Sequence, residues 1–398
     1  MPFIGNKPSA VPLTSADIAD GIITSAKIVD GTIVNADINA SSAITLNKLS
    51  GNPSFRNRII NGDMQIDQRN AGASVTPSSG TRYLVDRWRS NLSQSSKLSF
   101  QQNGGAVTPP TNFINYIGIT SLSSYSTAAS DYFQFEQFIE GLNISDLNFG
   151  TANAKTFTIS FYARSSLTGN FGLFLTNSAV NRVYPTSYTI NSANTWELKT
   201  ITIAGDTSGT WLTTNETGIR ISFNMAYGST YTGTGNAWNA GTIFQPSGCQ
   251  NLVGTNGATL YITGVQLEAG TSATDFEFLP IDVDLARCQR YYYLHSSRSG
   301  NFEPIGIANY YNNTDLETYV KFPFNMRTDP TLVSGSGTDY YRFDRNNGTD
   351  YVNSFTLNMS MPTNAVIYNN SEASGTGGQA GHLFLNNDGA YVAFSAEL

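Results

Sequence analysis

Glycoside hydrolysis normally needs two positioned carboxylates. The sequence offers Asp63, Asp67, Asp86, Glu136, Glu140 and Glu268, and no spacing singles out a pair. They read as solvated or hydrogen-bonded carboxylates. His295 and His382 are the only histidines, and no Gly-x-Ser-x-Gly turn accompanies them, so a serine-hydrolase triad has no support. Cys249 and Cys288 lie far apart and read as two reduced thiols. Two Cys and two His make no zinc spacing. The glycine-bearing phrases "GTGNAWNAG" and "GSGTDY" lack a strand-to-helix context and read as loops. No catalytic residue and no cofactor is expected.

Binding chemistry has more to work with. Sugars are held by aromatic faces against C–H patches and by planar polar groups on hydroxyls, with no perturbed pKa needed. Tyr340, Tyr341, Arg342, Asp344 and Arg345 lie together in "DYYRFDR". Tyr310, Tyr311, Asn312 and Asn313 form a second cluster, and Trp238 sits in a Gly/Asn/Thr-rich stretch. Phe343 reads as a buried anchor, and Trp88 and Trp196 as core residues on strands. The arginines 342 and 345 could bond hydroxyls or an acidic sugar in fork geometry.

The elements that must position these groups are strands. Charged residues are 13% of 398, against roughly 25% in an average soluble protein. Ser, Thr, Asn and 36 glycines carry the polar share, and 23 Phe with 21 Tyr supply apolar bulk. That mixture suits short strands and many turns. The net charge of −7, with no basic run, argues against nucleic-acid binding. No apolar run approaches the roughly 20 residues of a membrane span, and "MPFIGNKPSA" has no secretory-signal pattern. Synthesis in the cytoplasm without general secretion is expected.

Alternation is explicit from about residue 53 to 279. "TFTISFYAR" puts Phe157, Ile159, Phe161 and Ala163 on one face, and "GIRISFNMAYG" does so with Ile219, Ile221, Phe223 and Met225. "SKLSF", "DYFQFEQFI", "TWELKTITI" and "ATLYITGVQLE" add strands, "RIINGDMQI" reads as a strand with a bulge or turn at Asn61-Gly62, and "TRYLVDRWRS" reads as one strand. Such spacing predicts a β-sandwich or jelly roll. "PIDVDLARCQR" over residues 280–290 predicts a short helical connector, with Pro280 in the first turn and Asp282 and Asp284 near its positive end. Residues 291–398 are again all-β: "YVKFPFNM" alternates Val320, Phe322, Phe324 and Met326, and "AYVAFSAEL" closes on a strand. The stretches "SGSGTDYYRFDRNNGTD" and "NNSEASGTGGQAG" read as polar loops.

Ahead of these, residues 13–52 repeat a ten-residue phrase. Ile18, Ile28 and Ile38 are in phase, as are Ile23 and Ile33. Gly21 and Gly31 weigh against a continuous helix, leaving extended chain with a turn at each Asp-Gly; the phrase led by Ser15 is compatible with one helical turn. Each unit is too small to bury its isoleucines, so stacked neighbours or a symmetric oligomer must cover them. Residues 1–12 have no periodicity. Phe3 and Ile4 are apolar anchors on a polar, Pro-containing peptide expected to order on docking.

Several of these phrases carry a resemblance. "RNRIINGDMQIDQRNAG" followed by "YLVDRW", the later "VQLEAGTSATDFEFLPIDVDLARCQRYYY", and then "NMRTDPTL" and "FSAEL" are similar to the tail fibre proteins of tailed bacteriophages. The Asp-Gly-Thr-Ile phrase resembles fibre shaft segments. The resemblance implies an all-β homotrimeric fibre of the virion. Its parts would be an attachment peptide at 1–12 docked on a tail, adaptor or nozzle protein, a shaft at 13–52, a carbohydrate-binding-module-like jelly roll at 53–279, the connector, and a distal β-domain at 291–398. It also implies a non-enzymatic adhesin for a host polysaccharide or lipopolysaccharide. A virion polysaccharide depolymerase and a structural decoration protein stand as alternatives. Some such modules hold a structural calcium near the first and last strands, where Asp63 and Glu268 are the matching positions.

Fully burying one Ile contributes roughly 1.5–3 kcal/mol, so three positions in three chains make a substantial interface. Replacing Ile18, Ile28 and Ile38 with Asp is expected to dissociate the assembly in sedimentation. An unchanged trimer would remove the repeat from the interface.

Overall fold

The computed structural model describes residues 23–29, 32, 33, 37, 55–297, 300 and 302–398. The chain divides into two units, Met1–Pro53 and Ser54–Leu398. In the first, Ser25–Lys27 forms one turn of 3-10 helix, closed by Lys27 N–H donating to Thr24 O at 2.9 Å. Ile23, Ile28 and Ile33 are exposed on the single chain. Phe3, Ile4, Ile18 and Ile38 lie outside the described residues, as do the Asp-Gly turns.

The second unit is all-β apart from one α-helix and short 3-10 turns among the described residues. Its first part is a jelly-roll sandwich. One sheet has six strands in the order Gly80–Tyr83, Trp88–Leu92, Tyr132–Glu140, Thr217–Tyr227, Gly169–Thr176, Val183–Ile190. The other has five, Leu98–Gln102, Ile117–Ser121, Thr259–Ala269, Phe157–Ser165, Glu197–Ile203. The inward phases are those of the alternation: Phe157, Ile159, Phe161 and Ala163 face Ile219, Ile221, Phe223 and Met225 in one buried core. Aromatic pairs lock it, with Trp88 stacked on Phe135 at 4.7 Å and Phe161 edge-on to Phe223 at 4.9 Å.

The turn expected at Asn61-Gly62 is present, but no strand forms around it, and the strand expected at "TRYLVDRWRS" also needs correction. "RIINGDMQI" is irregular, because Asn61 and Met64 both take left-handed backbone conformations. The Asn61 side chain replaces ladder partners, accepting from Ile66 N–H at 2.9 Å and donating to Ile66 O and Asp86 O. A side chain at Gly62 would collide with the Val265 carbonyl. "TRYLVDRWRS" is a hairpin of two strands, turning at 84–87 with Arg87 at φ 70°.

The remainder is a second sandwich. Seven strands run Gly348–Val352, Tyr341–Arg345, Ala380–Leu385, Glu303–Tyr310, Leu316–Lys321, Asn364–Asn369, Thr356–Met361, against a three-stranded sheet of Tyr292–Ser297, Tyr391–Ser395 and Thr331–Ser334. "YVKFPFNM" is strand only to Lys321; Pro323 ends it, leaving Phe322 and Met326 buried and Phe324 exposed. The connector helix is Ile281–Gln289; Pro280 is its N-cap, one residue before the first turn expected to hold it.

The two sandwiches meet at a buried ionic junction. Arg87 pairs with Glu397, donates to Phe138 O at 2.6 Å and stacks on Tyr291 at 3.4 Å. Arg69 reaches the same carboxylate at 3.1 Å and stacks on Tyr292 at 3.6 Å. Arg327 donates to Ala396 O at 2.7 Å and Glu397 O at 2.9 Å. Arg290 forks onto Glu140, which Tyr291 also bonds at 2.6 Å. Beneath lies a small apolar cluster of Ile60, Ile66, Cys288 and Tyr291.

Removing one partner of a buried pair costs roughly 3–5 kcal/mol, because the other charge stays buried and unpaired. Glu397→Gln is therefore expected to lower the calorimetric melting temperature well below wild type; an unchanged transition would show that the junction does not depend on this carboxylate. Burial also pushes Asp86 and Asp63 up from 3.8 to about 6, Asp284 adding repulsion at Asp63. Folded protein then holds more protons than unfolded chain between those values, so their stabilisation is complete below about pH 3.8 and lost as pH rises through about 6. Asp63→Asn should melt about 2 °C or more above wild type at neutral pH, the gap closing on acidification. A gap independent of pH would contradict this origin.

Candidate functional site

Strand alternation that buries Phe133, Phe135 and Ile139 must present the opposite phase of the same strand outward. Register then builds rows across the outer face of the six-stranded sheet. Tyr83, Arg89, Glu136, Ser222 and Phe174 form one row. Thr81, Asn91, Gln134, Asn224 and Gly172 form the next, and Phe138 stands opposite Arg220.

Glu136 is fully buried at the centre of this face and would be costly alone. Arg89 Nε donates to it at 2.9 Å and Arg220 Nη2 lies 2.6 Å from its other oxygen. Both guanidiniums lie over the Phe138 ring, at 4.0 and 5.5 Å. Gln134 joins the network, accepting from Arg220 and from Asn91 Nδ2 and donating to the Tyr227 hydroxyl. Burial raises the Tyr227 phenol well above its usual value, so it stays neutral at physiological pH. The Phe244 segment covers one side, its carbonyl accepting from Asn224 at 3.0 Å and its ring stacked on Tyr227 at 5.8 Å. The chain's last residues close another edge, with Leu398 O accepting from Tyr83 Oη at 3.1 Å and Arg89 Nη1 at 3.4 Å.

Between these covers Arg89, Asn91, Tyr132, Phe138 and Arg220 remain half-buried. Arg220 Nε has no hydrogen-bond partner among the described residues. The face is thus a rigid platform of planar donors beside aromatic rings, its one buried carboxylate shared by two guanidiniums. Such a surface can bond hydroxyls and pack C–H patches; it holds no free acid or base.

The acidic residues weighed for hydrolysis are committed elsewhere. Asp67 accepts from the Asn70 and Gly72 amides at 3.0 and 2.8 Å. Asp86 accepts from Gln68, and Arg290 and Tyr291 hold Glu140 below its usual range despite burial. Glu268 accepts from Thr274 and Gln266 and lies 3.6 Å from Arg56. Asp63 instead faces Asp284, and the two line a cavity of about 10 Å³, room for roughly one water. Asp63 and Glu268, the matching calcium positions, therefore have separate partners. No group of three or more His, Cys, Asp or Glu side chains suited to a metal occurs among the described residues.

The aromatic and arginine positions read as glycan contacts fare unevenly. "YRFDR" is strand rather than loop, pairing with Gly348–Val352 around a turn at Asn346–Asn347, and its alternation buries Tyr341 with Phe343. Tyr341 is 0% exposed and its hydroxyl donates to Gly335 O at 2.6 Å, so it cannot present its ring. Tyr310 is likewise 0% exposed and bonded to Asp350. Tyr340 is half-buried, its ring against Gly335 and Gly337. Arg345 is drawn inward by Asp350, Gln379 Oε1 and Ser374 O. Arg342 bonds Asp344 at 2.8 Å and lies over Phe302 at 4.9 Å. Only Tyr311, 72% exposed, stands free as a loop aromatic of this set. Trp238 packs on the first core, donating to Ala204 O at 2.8 Å with its ring 5.4 Å from Trp211. Trp88 is fully buried as expected; Trp196 precedes its strand and packs on Tyr116. The outer sheet face carries no loop motif. Its signal was the second phase of "FQFEQF" and "WRSNL", where Gln134, Glu136, Arg89 and Asn91 alternate with core residues.

No family model matches the chain, and no curated protein does. Among solved structures, the enzymatically active domain of tailspike protein 4 from bacteriophage CBA120 is similar at 12% identity and TM-score 0.30, over 54% of this chain and 22% of that one. A family 11 carbohydrate-binding module from Clostridium thermocellum, in complex with a mixed-linked tetrasaccharide, is similar at 14% identity and TM-score 0.27, over 50% of this chain and all of that one. A family 4 carbohydrate-binding module follows at 17% identity and TM-score 0.26, over 53% and 98%. The chain spans about a fifth of the tailspike's length. Likenesses at this level bear on neither partner nor activity.

Proposed function

We propose that this chain is a non-enzymatic, glycan-binding attachment protein of a phage tail fibre. The observation that carries the binding part is the open face around Phe138: planar donors from Arg89, Asn91 and Arg220 beside aromatic rings, on a sheet whose buried charges are paired. The commitment of the candidate acids, and the lack of room between Asp63 and Asp284, supports binding over cleavage. The fibre part rests on the phrases that resemble tail fibres and on the repeat, whose Ile23, Ile28 and Ile33 need a cover that three copies would provide. On this reading the peptide bearing Phe3 and Ile4 docks on a tail or adaptor protein, in a virion assembled in the host cytoplasm. Three weak sites on one rigid fibre, and several fibres per particle, raise avidity by roughly 10²–10⁴ without new contacts.

The test is a glycan microarray of bacterial polysaccharides and lipopolysaccharides probed with the full-length chain. Asn91→Ala combined with Phe138→Ala is expected to weaken binding about tenfold, the scale of one ring contact plus one hydrogen bond, with the cooperative unfolding transition retained. Retained binding would remove this face from the site. Any bound polysaccharide incubated with the protein should keep its size-exclusion profile; shortening would replace the adhesin reading with a depolymerase.

A further inference from the structure

A groove of about 750 Å³ runs between the edge hairpin of the first sandwich and the three-stranded sheet of the second. That lies within the roughly 300–1,000 Å³ of small-ligand sites. Arg82 and Tyr83 stand on one wall, Tyr292 and Tyr391 on the other, with Asp67 and Arg69 between them.

Most of its polar groups are spent. Asp67 caps a turn through the Asn70 and Gly72 amides. Arg69 pairs with Glu397 and lies over both Tyr292, at 3.6 Å, and Tyr83, at 4.5 Å. The Tyr83 hydroxyl is held by Leu398 O. Two groups differ. Arg82 is exposed and makes no hydrogen bond or ion pair through its guanidinium among the described residues. Tyr391 is half-buried on the facing wall; its hydroxyl makes no hydrogen bond and its ring touches no other ring or cation among the described residues. The groove therefore offers one uncommitted cationic fork and one uncommitted aromatic face, from different sandwiches.

We propose that this groove binds an acidic saccharide, with a sugar carboxylate on Arg82 and a ring face on Tyr391. The inference rests on the glycan-binding reading above and adds a second site with a stated charge class. The guanidinium fork matches a carboxylate bidentately. The tyrosine-lined remainder suits sugar C–H faces, where a fully charged ligand would leave aromatic surface unused. Because the walls belong to both sandwiches, a bound saccharide bridges the junction and stabilises it by mass action.

The full-length chain is titrated calorimetrically with sialyllactose and trigalacturonate, and with neutral lactose and maltotriose. At least one acidic probe is expected to bind about tenfold or more tightly than its neutral counterpart, the scale of a charge-assisted fork. That binding should weaken with added salt and raise the melting temperature. Arg82→Ala and Tyr391→Ala, both at accessible positions, are each expected to weaken it about tenfold. The proposal is overturned if neither acidic probe binds, if lactose or maltotriose binds as well, or if both variants retain wild-type affinity. The two sites are separable on the bacterial glycan array. Binding that survives Arg82→Ala with Tyr391→Ala but is lost with Asn91→Ala and Phe138→Ala ends the groove proposal and leaves the glycan reading standing. Absence of binding to any bacterial glycan ends both.

Discussion

A guanidinium withdrawn from water must be compensated, and Arg87 is the residue on which that constraint falls hardest. It is 2% exposed and lies where two sandwiches touch. Its compensation comes from a carboxylate of the last strand's extension, a carbonyl of the six-stranded sheet and the face of Tyr291. None of the three is near it in sequence. The arrangement exists only when both sandwiches and the connector helix are in place, so the relative position of the sandwiches is set by the need to neutralise one charge. Arg69 and Arg327 extend the same logic by fixing the chain at 396–397 from two further directions.

Both candidate binding surfaces inherit their geometry from this junction. The open sheet face ends where Leu398 O accepts from Tyr83 and Arg89, and Arg89 also holds buried Glu136. The groove has Arg69 between its walls, stacked on Tyr292 and bonded to Glu397. Rings and donors held this way lose little conformational freedom on meeting a ligand, which is where rigid platforms gain affinity over mobile loops.

The core was legible because period-two alternation states which face is buried. "TFTISFYAR" and "GIRISFNMAYG" named eight inward residues, and those residues form the core. Two kinds of element were not legible. Asn61 and Met64 break a strand-like phrase through left-handed backbone conformations paid for by side-chain hydrogen bonds, which hydropathy does not register. In "YRFDR" the alternation was present, but charged neighbours disguised a strand as a loop, and Tyr341 and Tyr310 were credited with exposure that the second core denies them. The candidate site was hidden for a related reason. Glu136 in mid-strand reads as a solvated carboxylate until the partners at 89 and 220 are brought beside it by register, and neither is local.

The stretches that carry the fibre resemblance converge on the junction, and some of their residues, Arg69 and Tyr292 among them, also line the groove beside it. Asn61 and Arg69 come from the first phrase, Arg87 and Trp88 from the second, Cys288, Arg290, Tyr291 and Tyr292 from the third, Arg327 and Glu397 from the last. Their residue types follow from what they do there: forks for a shared carboxylate, rings to cover guanidiniums, a thiol small enough for a packed apolar pocket. Arg82 and Tyr391 answer to no such closed set of contacts, whereas Asn91 and Phe138 also support the network around Glu136. The residues that close the junction thus share the groove with the two that would choose a ligand there, Arg82 and Tyr391, and specificity can vary at those two positions without removing a partner from Arg87.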